Sequence, residues 1–238
     1  MGRYRYSIDN EIFRQFPGYC RGVVIASGIK NSETPEGVRI LLKEAEKLLP
    51  EKINREEIAS HPRIASWRDA YRSFGAKPAK YRSSIEAMVR RVLNGNPLPN
   101  INTIVDIGNI ISLRHLVTAG GHAIDLLKGD ISLRKASGYE EFTAFGTDKS
   151  ENPDTGEIIF TEGNTVLTRR WSWRQANHTS TQVSTTAVEM NIDGLPPVSY
   201  DKVVNICKEA VELIGKYCGG KIKYEILTEK NQGMLLEI

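Results

Sequence analysis

The sequence predicts a layered α+β domain, and three observations carry that expectation. Helical periodicity is concentrated between residues 34 and 117. From residue 119 to 192, short β-branched runs alternate with glycine turns. One further amphipathic helix lies near the C-terminus. Helices and strands are thus grouped rather than interleaved as regular β-α-β units.

Taken in order, residues 16–27 alternate weakly and carry Val23, Val24 and Ile25, so they read as a strand. Thr34-Pro35-Glu36 reads as a helix start, with Thr34 as cap and Pro35 in the first turn. Val38, Leu41, Leu42, Ala45, Leu48 and Leu49 give that helix an apolar face, and Pro50 stops it. Residues 58–74 read as helical with a break near Pro62. Ser83 or Ser84 caps the next helix, which runs to Leu93 with Ile85, Met88, Val89 and Val92 inward. Asn94-Gly95-Asn96-Pro97 ends it. Residues 103–117 are apolar at helical spacing, while Asp106, Asn109 and Ser112 recur at three-residue steps on one face. Such a stripe is a candidate site, although spacing alone favours a solvent-facing one.

Downstream, glycine-bounded strands are expected over 131–134, 157–160, 165–170 and 187–192, closed by Pro196-Pro197. Residues 203–218 form an amphipathic helix stopped by Gly219-Gly220, and 221–227 and 234–238 read as late strands. In domain terms, an N-terminal α/β subdomain over 1–80 packs on a core over 81–200. Residues 201–238 complete the same compact unit.

A chain of 238 residues, 40% hydrophobic and 26% charged, can bury a sizeable core without disulfide staples. Cys20, Cys207 and Cys218 are odd in number and form no Cys-x-x-Cys pair, which argues against a zinc ribbon and for a reducing cytoplasm. No signal peptide stands behind the basic N-terminus, and no window has the length of a membrane span. There is no phosphate-cradling glycine loop, no Gly-x-Ser-x-Gly elbow and no His-x-x-x-His, so neither a cofactor nor a metal is expected. By spacing alone, His61, His115, His122 and His178 are ordinary packed or surface residues.

The net charge of +3 is small, but its distribution is uneven. Between His61 and Asn100, Arg63, Arg68, Arg72, Lys77, Lys80, Arg82, Arg90 and Arg91 face only Asp69 and Glu86. A segment of this kind attracts phosphates without reading base sequence. Arg72, Lys77, Lys80 and Arg82 are the candidate RNA contacts, with a solvated helix face as the plain alternative.

The second unusual run is Arg169-Arg170-Trp171-Ser172-Trp173-Arg174-Gln175. Guanidinium forks bind phosphate or carboxylate, and indoles stack on bases or wall off apolar pockets. A continuing strand would put Arg170, Ser172 and Arg174 on one side and Trp171 and Trp173 on the other. One core tryptophan with solvated arginines explains the run about as well. The hydroxyls of 178–181 and 184–186 suit either a bound water or local turns.

In order along the chain stand Val105-Asp106-Ile107-Gly108-Asn109, Gly120-Gly121-His122-Ala123-Ile124-Asp125 and Ile131-Ser132-Leu133-Arg134. That series resembles the editing module of the phenylalanyl-tRNA synthetase β subunit, its third and fourth domains. Thr185-Thr186 through Glu189 resembles a later strand of the same module, and the likeness covers residues 80–194. It implies a β-sandwich of unusual topology flanked by helices. It also implies hydrolysis of mischarged aminoacyl-tRNA, with the aminoacylated 3′ end of tRNA as partner and Asn109 and His122 as catalytic candidates in a glycine-rich turn and its neighbouring helix. Around them, Arg170 and Arg174 are expected on terminal phosphates or a substrate carbonyl, Trp171 at the amino-acid pocket, and Gln175 and Thr185 as further substrate contacts. Gly108 stands where the family has threonine, and residues 174–177 offer no acid where the family recognises the tyrosine hydroxyl. The amino acid removed therefore stays open, for a free-standing relative acting in trans. A non-catalytic RNA-binding module and an amino-acid-like small-molecule binder remain the alternatives, and no oligomeric state follows.

Overall fold

The computed structural model describes residues 2–237. The chain opens with β1 (Arg3–Ile8) and a short helix α1 (Asn10–Gln15), where Asp9 caps the Glu11 N–H. Then come β2 (Cys20–Ser27) and four helices: α2 (Glu36–Lys47), α3 (Pro62–Ser73), α4 (Ser84–Leu93) and α5 (Thr103–His115). The middle of the chain supplies β3 (Thr118–Ala123), β4 (Ile131–Lys135), β5 (Phe142–Thr143), β6 (Ser150–Glu151), β7 (Ile158–Glu162), β8 (Thr165–Arg169), β9 (Arg174–Gln175) and β10 (Ala187–Gly194). It closes with α6 (Tyr200–Cys218), β11 (Lys221–Leu227) and β12 (Gly233–Glu237).

The fold is α+β. A six-stranded sheet, ordered β12-β1-β4-β7-β8-β9, faces a four-stranded sheet, ordered β11-β2-β10-β3. β2 and β10 are central and buried along nearly their whole length, so both their faces must find partners. Strand parity sorts those faces. Val188, Met190 and Ile192 turn toward the helices, where Gly108 of α5 approaches the Met190 methyl. Gly22 on β2 lies under α6, and a Cβ there would stand 2.2 Å from the Cys207 sulfur. Glu189, Asn191 and Asp193 point the opposite way, into the seam between the sheets, where Tyr6, Phe160 and His122 meet.

Several expectations need correction. β2 begins at Cys20, because residues 16–19 form a turn closed by Tyr19 N–H on the Phe16 carbonyl. Pro35, not Thr34, is the cap residue of α2. The Thr34 hydroxyl instead donates to buried Asp106 at 2.7 Å. Asp106 and Ser112 are not solvent-facing but fully buried. Asp106 also accepts from Asn100 Nδ2 and the Ile101 N–H, while Ser112 Oγ joins the Gly108 and Ala119 carbonyls of α5 and β3. These polar groups anchor the two ends of α5. Ser83 caps α4, and Asn102 caps α5 by accepting from the Val105 N–H. The strand expected over 165–170 ends at Arg169, since Arg170 and Trp171 take left-handed φ values of 46° and 64°. No alternation continues through 170–174. The segment expected over 234–238 is β12, with residue 238 outside the described residues.

Candidate active site

A cleft of ≈ 200 Å³ opens at the seam, between the free edge of β3 and the β7–β8–β9 side of the larger sheet. Its floor comes from the two central strands. Arg21 on β2 and Asp193 on β10 are register partners, 172 residues apart in sequence. Arg21 Nε and Nη2 donate to the two carboxylate oxygens at 2.7 and 3.1 Å. Asp193 also accepts from Tyr19 Oη at 2.6 Å, Thr118 Oγ1 at 3.0 Å and Trp171 Nε1 at 3.4 Å. Arg21 Nη1 donates to Tyr6 Oη, which donates to Asn191 Oδ1 at 2.6 Å. A buried ion pair stands only when its remaining lone pairs and protons are satisfied in this way.

One guanidinium and two carboxyl groups cluster at the floor and beneath it, Glu189 lying outside the cleft lining. Asp193 takes the ion pair. Glu189 is pushed up to about 8 by burial, against the pull of Arg21 and with Asp193 adding to the rise, so it is protonated at neutral pH. Its Oε1 accepts from Asn191 Nδ2 at 3.0 Å, and its Oε2 has no partner.

The first wall is β3, an edge strand whose outward backbone groups have left the ladder. Ala119 donates its N–H to Ser112 Oγ, Ala123 donates to the Thr179 carbonyl, and the Gly121 carbonyl accepts from Gln175 Nε2 at 3.1 Å. The same parity turns the Gly121 N–H to the free edge of β3, where it has no acceptor among the described residues, and Gly121 is one of the residues lining the cleft. Residues 120–122 are therefore strand, not the glycine-rich turn expected from the sequence. A glycine pair inside a strand is the signal for close backbone approach.

His122 stands on this strand, 5% exposed, with both ring nitrogens engaged. Nδ1 lies 2.7 Å from Thr179 Oγ1 and 3.3 Å from Gln175 Nε2, and Nε2 lies 3.1 Å from Thr168 Oγ1. Burial, then the charges of Arg21 and His178, lowers its pKa to about 3, so the ring is neutral at physiological pH.

The opposite wall is Phe160, Thr168 and the turn from 171 to 175. Trp171 sits in the core, edge-on to Phe16, Tyr19 and Trp67. Neither preceding arginine is solvated, and neither is open to a phosphate. Arg169 forks onto Glu157 at 2.9 and 2.6 Å. Arg170 is 3% exposed, bonded to Asp154 at 2.9 Å and packed against the rings of Tyr81 (3.7 Å) and Trp173 (4.7 Å). It braces the wall from behind rather than entering the cleft. Arg174 is exposed at the mouth, 6.0 Å from the Trp173 ring.

Of the sequence-based candidates, His122, Trp171, Arg174 and Gln175 converge on the cleft. Asn109 does not line it, because α5 packs on the helix-covered face of the smaller sheet, away from the seam. Thr185 is buried and caps its own loop by accepting from the Gln182 N–H. Arg72 pairs with Asp69. Lys77, Lys80 and Arg82 are exposed and have no acidic partner among the described residues. Arg68 and Arg90 bond buried Glu86, and Arg63 donates to the His115 carbonyl. Sequence reading missed Thr168, Arg21, Asn191, Asp193 and the Gly121 backbone. Among the described residues, no group of three or more His, Cys, Asp or Glu is placed to hold a metal ion, and no helix is long and apolar enough to cross a membrane.

Residues 66–219 match the model of the B3/4 domain. Among solved structures, an N-terminal fragment of the phenylalanyl-tRNA synthetase β-subunit from Pyrococcus horikoshii is similar at 12% identity and a TM-score of 0.45. The alignment covers 91% of this chain and 49% of that one, so the chain spans about half the fragment's length. No curated protein matches the chain.

Proposed function

Since the chain belongs to the B3/4 domain family and is a relative of the phenylalanyl-tRNA synthetase β-subunit editing module, we propose that it hydrolyses the ester of mischarged aminoacyl-tRNA in the cleft beside His122. The observation that supports this reading is that Gly121, whose N–H has no acceptor among the described residues, and Thr168, whose hydroxyl bonds His122 Nε2, both line the same cleft.

An aminoacyl ester is already activated, so a positioned water and donors for the developing oxyanion suffice. In this reading the imidazole proton sits on Nε2 and is donated to Thr168 Oγ1, while Nδ1 accepts from Thr179 Oγ1. The hydroxyl proton of Thr168 is then free to point into the cleft. With Gly121 N–H it forms a two-donor cradle for the carbonyl oxygen. Water attacks the carbonyl carbon, the bond from that carbon to the ribose oxygen breaks, and the proton lost by water ends on the ribose hydroxyl. The neighbouring hydroxyl of the terminal ribose is the nearest relay for that proton. His122 is a positioning residue here, neither acid nor base. Arg174 at the mouth meets the phosphates. Residues 1–80 belong to the same working unit, because Arg21 completes the floor. In this reading the protein works in the cytoplasm, where charged tRNA is found.

One observation favours a second reading, RNA binding without turnover: Lys77, Lys80 and Arg82 are exposed and have no acidic partner among the described residues. Incubation with mischarged tRNA separates the two, since an editor releases the amino acid faster than spontaneous hydrolysis and a binder slows its release.

A further inference from the structure

The mouth of the cleft carries a row of alternating rings and cations that the hydrolytic step does not use. Tyr81 and Trp173 meet edge to face at 4.9 Å, and buried Arg170 lies against both rings. Lys80 and Arg82 flank Tyr81, exposed and without acidic partners among the described residues, and Arg174 follows Trp173. The Ser84 N–H bonds the Ser172 carbonyl at 2.9 Å, which ties the basic segment to the wall.

Beyond Arg174 the row ends at Phe145. The bridge between Ala144 and Ala176, and the Phe145 N–H donating to the Gln175 carbonyl at 3.1 Å, stand this residue beside Gln175. Phe142 and Ala144 bury themselves in a separate small core with Ile159, Val166 and Ala176, while Phe145 is 59% exposed. Phe145, bonded to Gln175 of the cleft lining, thus carries an uncovered ring.

Resting on the hydrolytic reading for its location, we propose that this row is a track for single-stranded RNA, with Phe145 stacking on a base and Lys80, Arg82 and Arg174 contacting phosphates. A bare aromatic face next to exposed cations suits a strand with unpaired bases, because each base has a face to stack and each link a charge. A duplex offers the charges but hides the base faces. An acidic peptide offers charge alone.

The test is fluorescence anisotropy of a labelled six-nucleotide RNA that carries no ester. The wild-type chain should bind it more tightly than a blunt RNA duplex. Phe145→Ala should weaken binding about five- to a hundredfold, and Phe145→Trp should retain it. Arg174→Ala should weaken binding and flatten its salt dependence by roughly 0.7 in log–log slope. Tyr139→Ala, which removes an 82% exposed ring between β4 and β5, should change nothing. Wild-type affinity in Phe145→Ala, a duplex or acidic peptide bound as tightly as the single strand, or no binding at low salt would each overturn the track. Because the probe lacks an ester, loss of the hydrolytic reading leaves this result standing, and loss of the track leaves hydrolysis to be judged separately.

Discussion

Gln175 Nε2 lies 3.3 Å from Nδ1 of His122, and an amide nitrogen can take part in that contact only as donor. The same nitrogen faces the Gly121 and Thr179 carbonyls, which fixes the amide's orientation. The imidazole is thereby packed in one orientation, with Nε2 3.1 Å from Thr168 Oγ1. With its pKa lowered to about 3, His122 does not change charge between pH 5 and 8. The ratio of catalysed to spontaneous hydrolysis should have no inflection near pH 6.5 in single-turnover assays. An inflection there that disappears in His122→Gln would show instead that the ring is a titrating base.

Gly120 and Gly121 separate stability from access. A Cβ at Gly120 meets nothing within 4 Å and projects into the seam, whereas one at Gly121 would press the Glu189 carbonyl and a Val188 methyl at 3.1 Å. Gly120→Val should unfold within about 0.5–1 kcal/mol of wild type yet lose about tenfold or more in turnover by filling the cleft. Gly121→Ala should lose stability first. Urea titration beside an activity assay reads both, and a fully active Gly120→Val would mean that the chemistry lies elsewhere.

Arg170→Ala should destabilise the chain by about 3 kcal/mol, although the residue does not line the cleft. Arg170→Lys should recover little, because an ammonium has no planar face to lay against Tyr81 and Trp173. Equal denaturation midpoints for the three proteins would remove the bracing role.

Glu189 makes stability depend on pH with a definite sign. Its folded pKa of about 8 lies above the ordinary value of 4.5. Below 4.5 both states are protonated and the burial carries no penalty of ionisation. As pH rises from 4.5 toward 8, the unfolded chain ionises while the folded one does not, and that advantage is lost. Glu189→Gln should match wild type near pH 4 and exceed it by about 1–3 kcal/mol at pH 8. Thermal melts of both proteins across that range check the difference, and parallel curves would contradict it.

Much of the helical layer was legible, because caps and apolar spacing act locally: Ser83 and Leu93 bound α4 as expected, and Gly219-Gly220 stop α6. β1, α1 and β3 were not read, since β1 is held by pairing with β12 at the far end of the chain and β3 contains two glycines of low strand propensity. At the site, the run 169–175 stood out in the sequence because unusual residue types cluster there, whereas His122 entered only through the family resemblance. Arg21 and Asp193 did not stand out, because their partnership spans 172 residues and leaves no local pattern. Arg170 was misread for a physical reason: composition shows that a guanidinium is present, but only packing shows that Glu157, Asp154 and two rings already hold it.

The most direct measurement of the central claim is amino-acid release from a panel of mischarged tRNAs, by wild type and by folded Gly120→Val in parallel. The account expects at least one aminoacyl ester to be cleaved faster than in buffer, with the gain lost when the cleft is filled. Release from no member of the panel, or release indifferent to the valine, would contradict it.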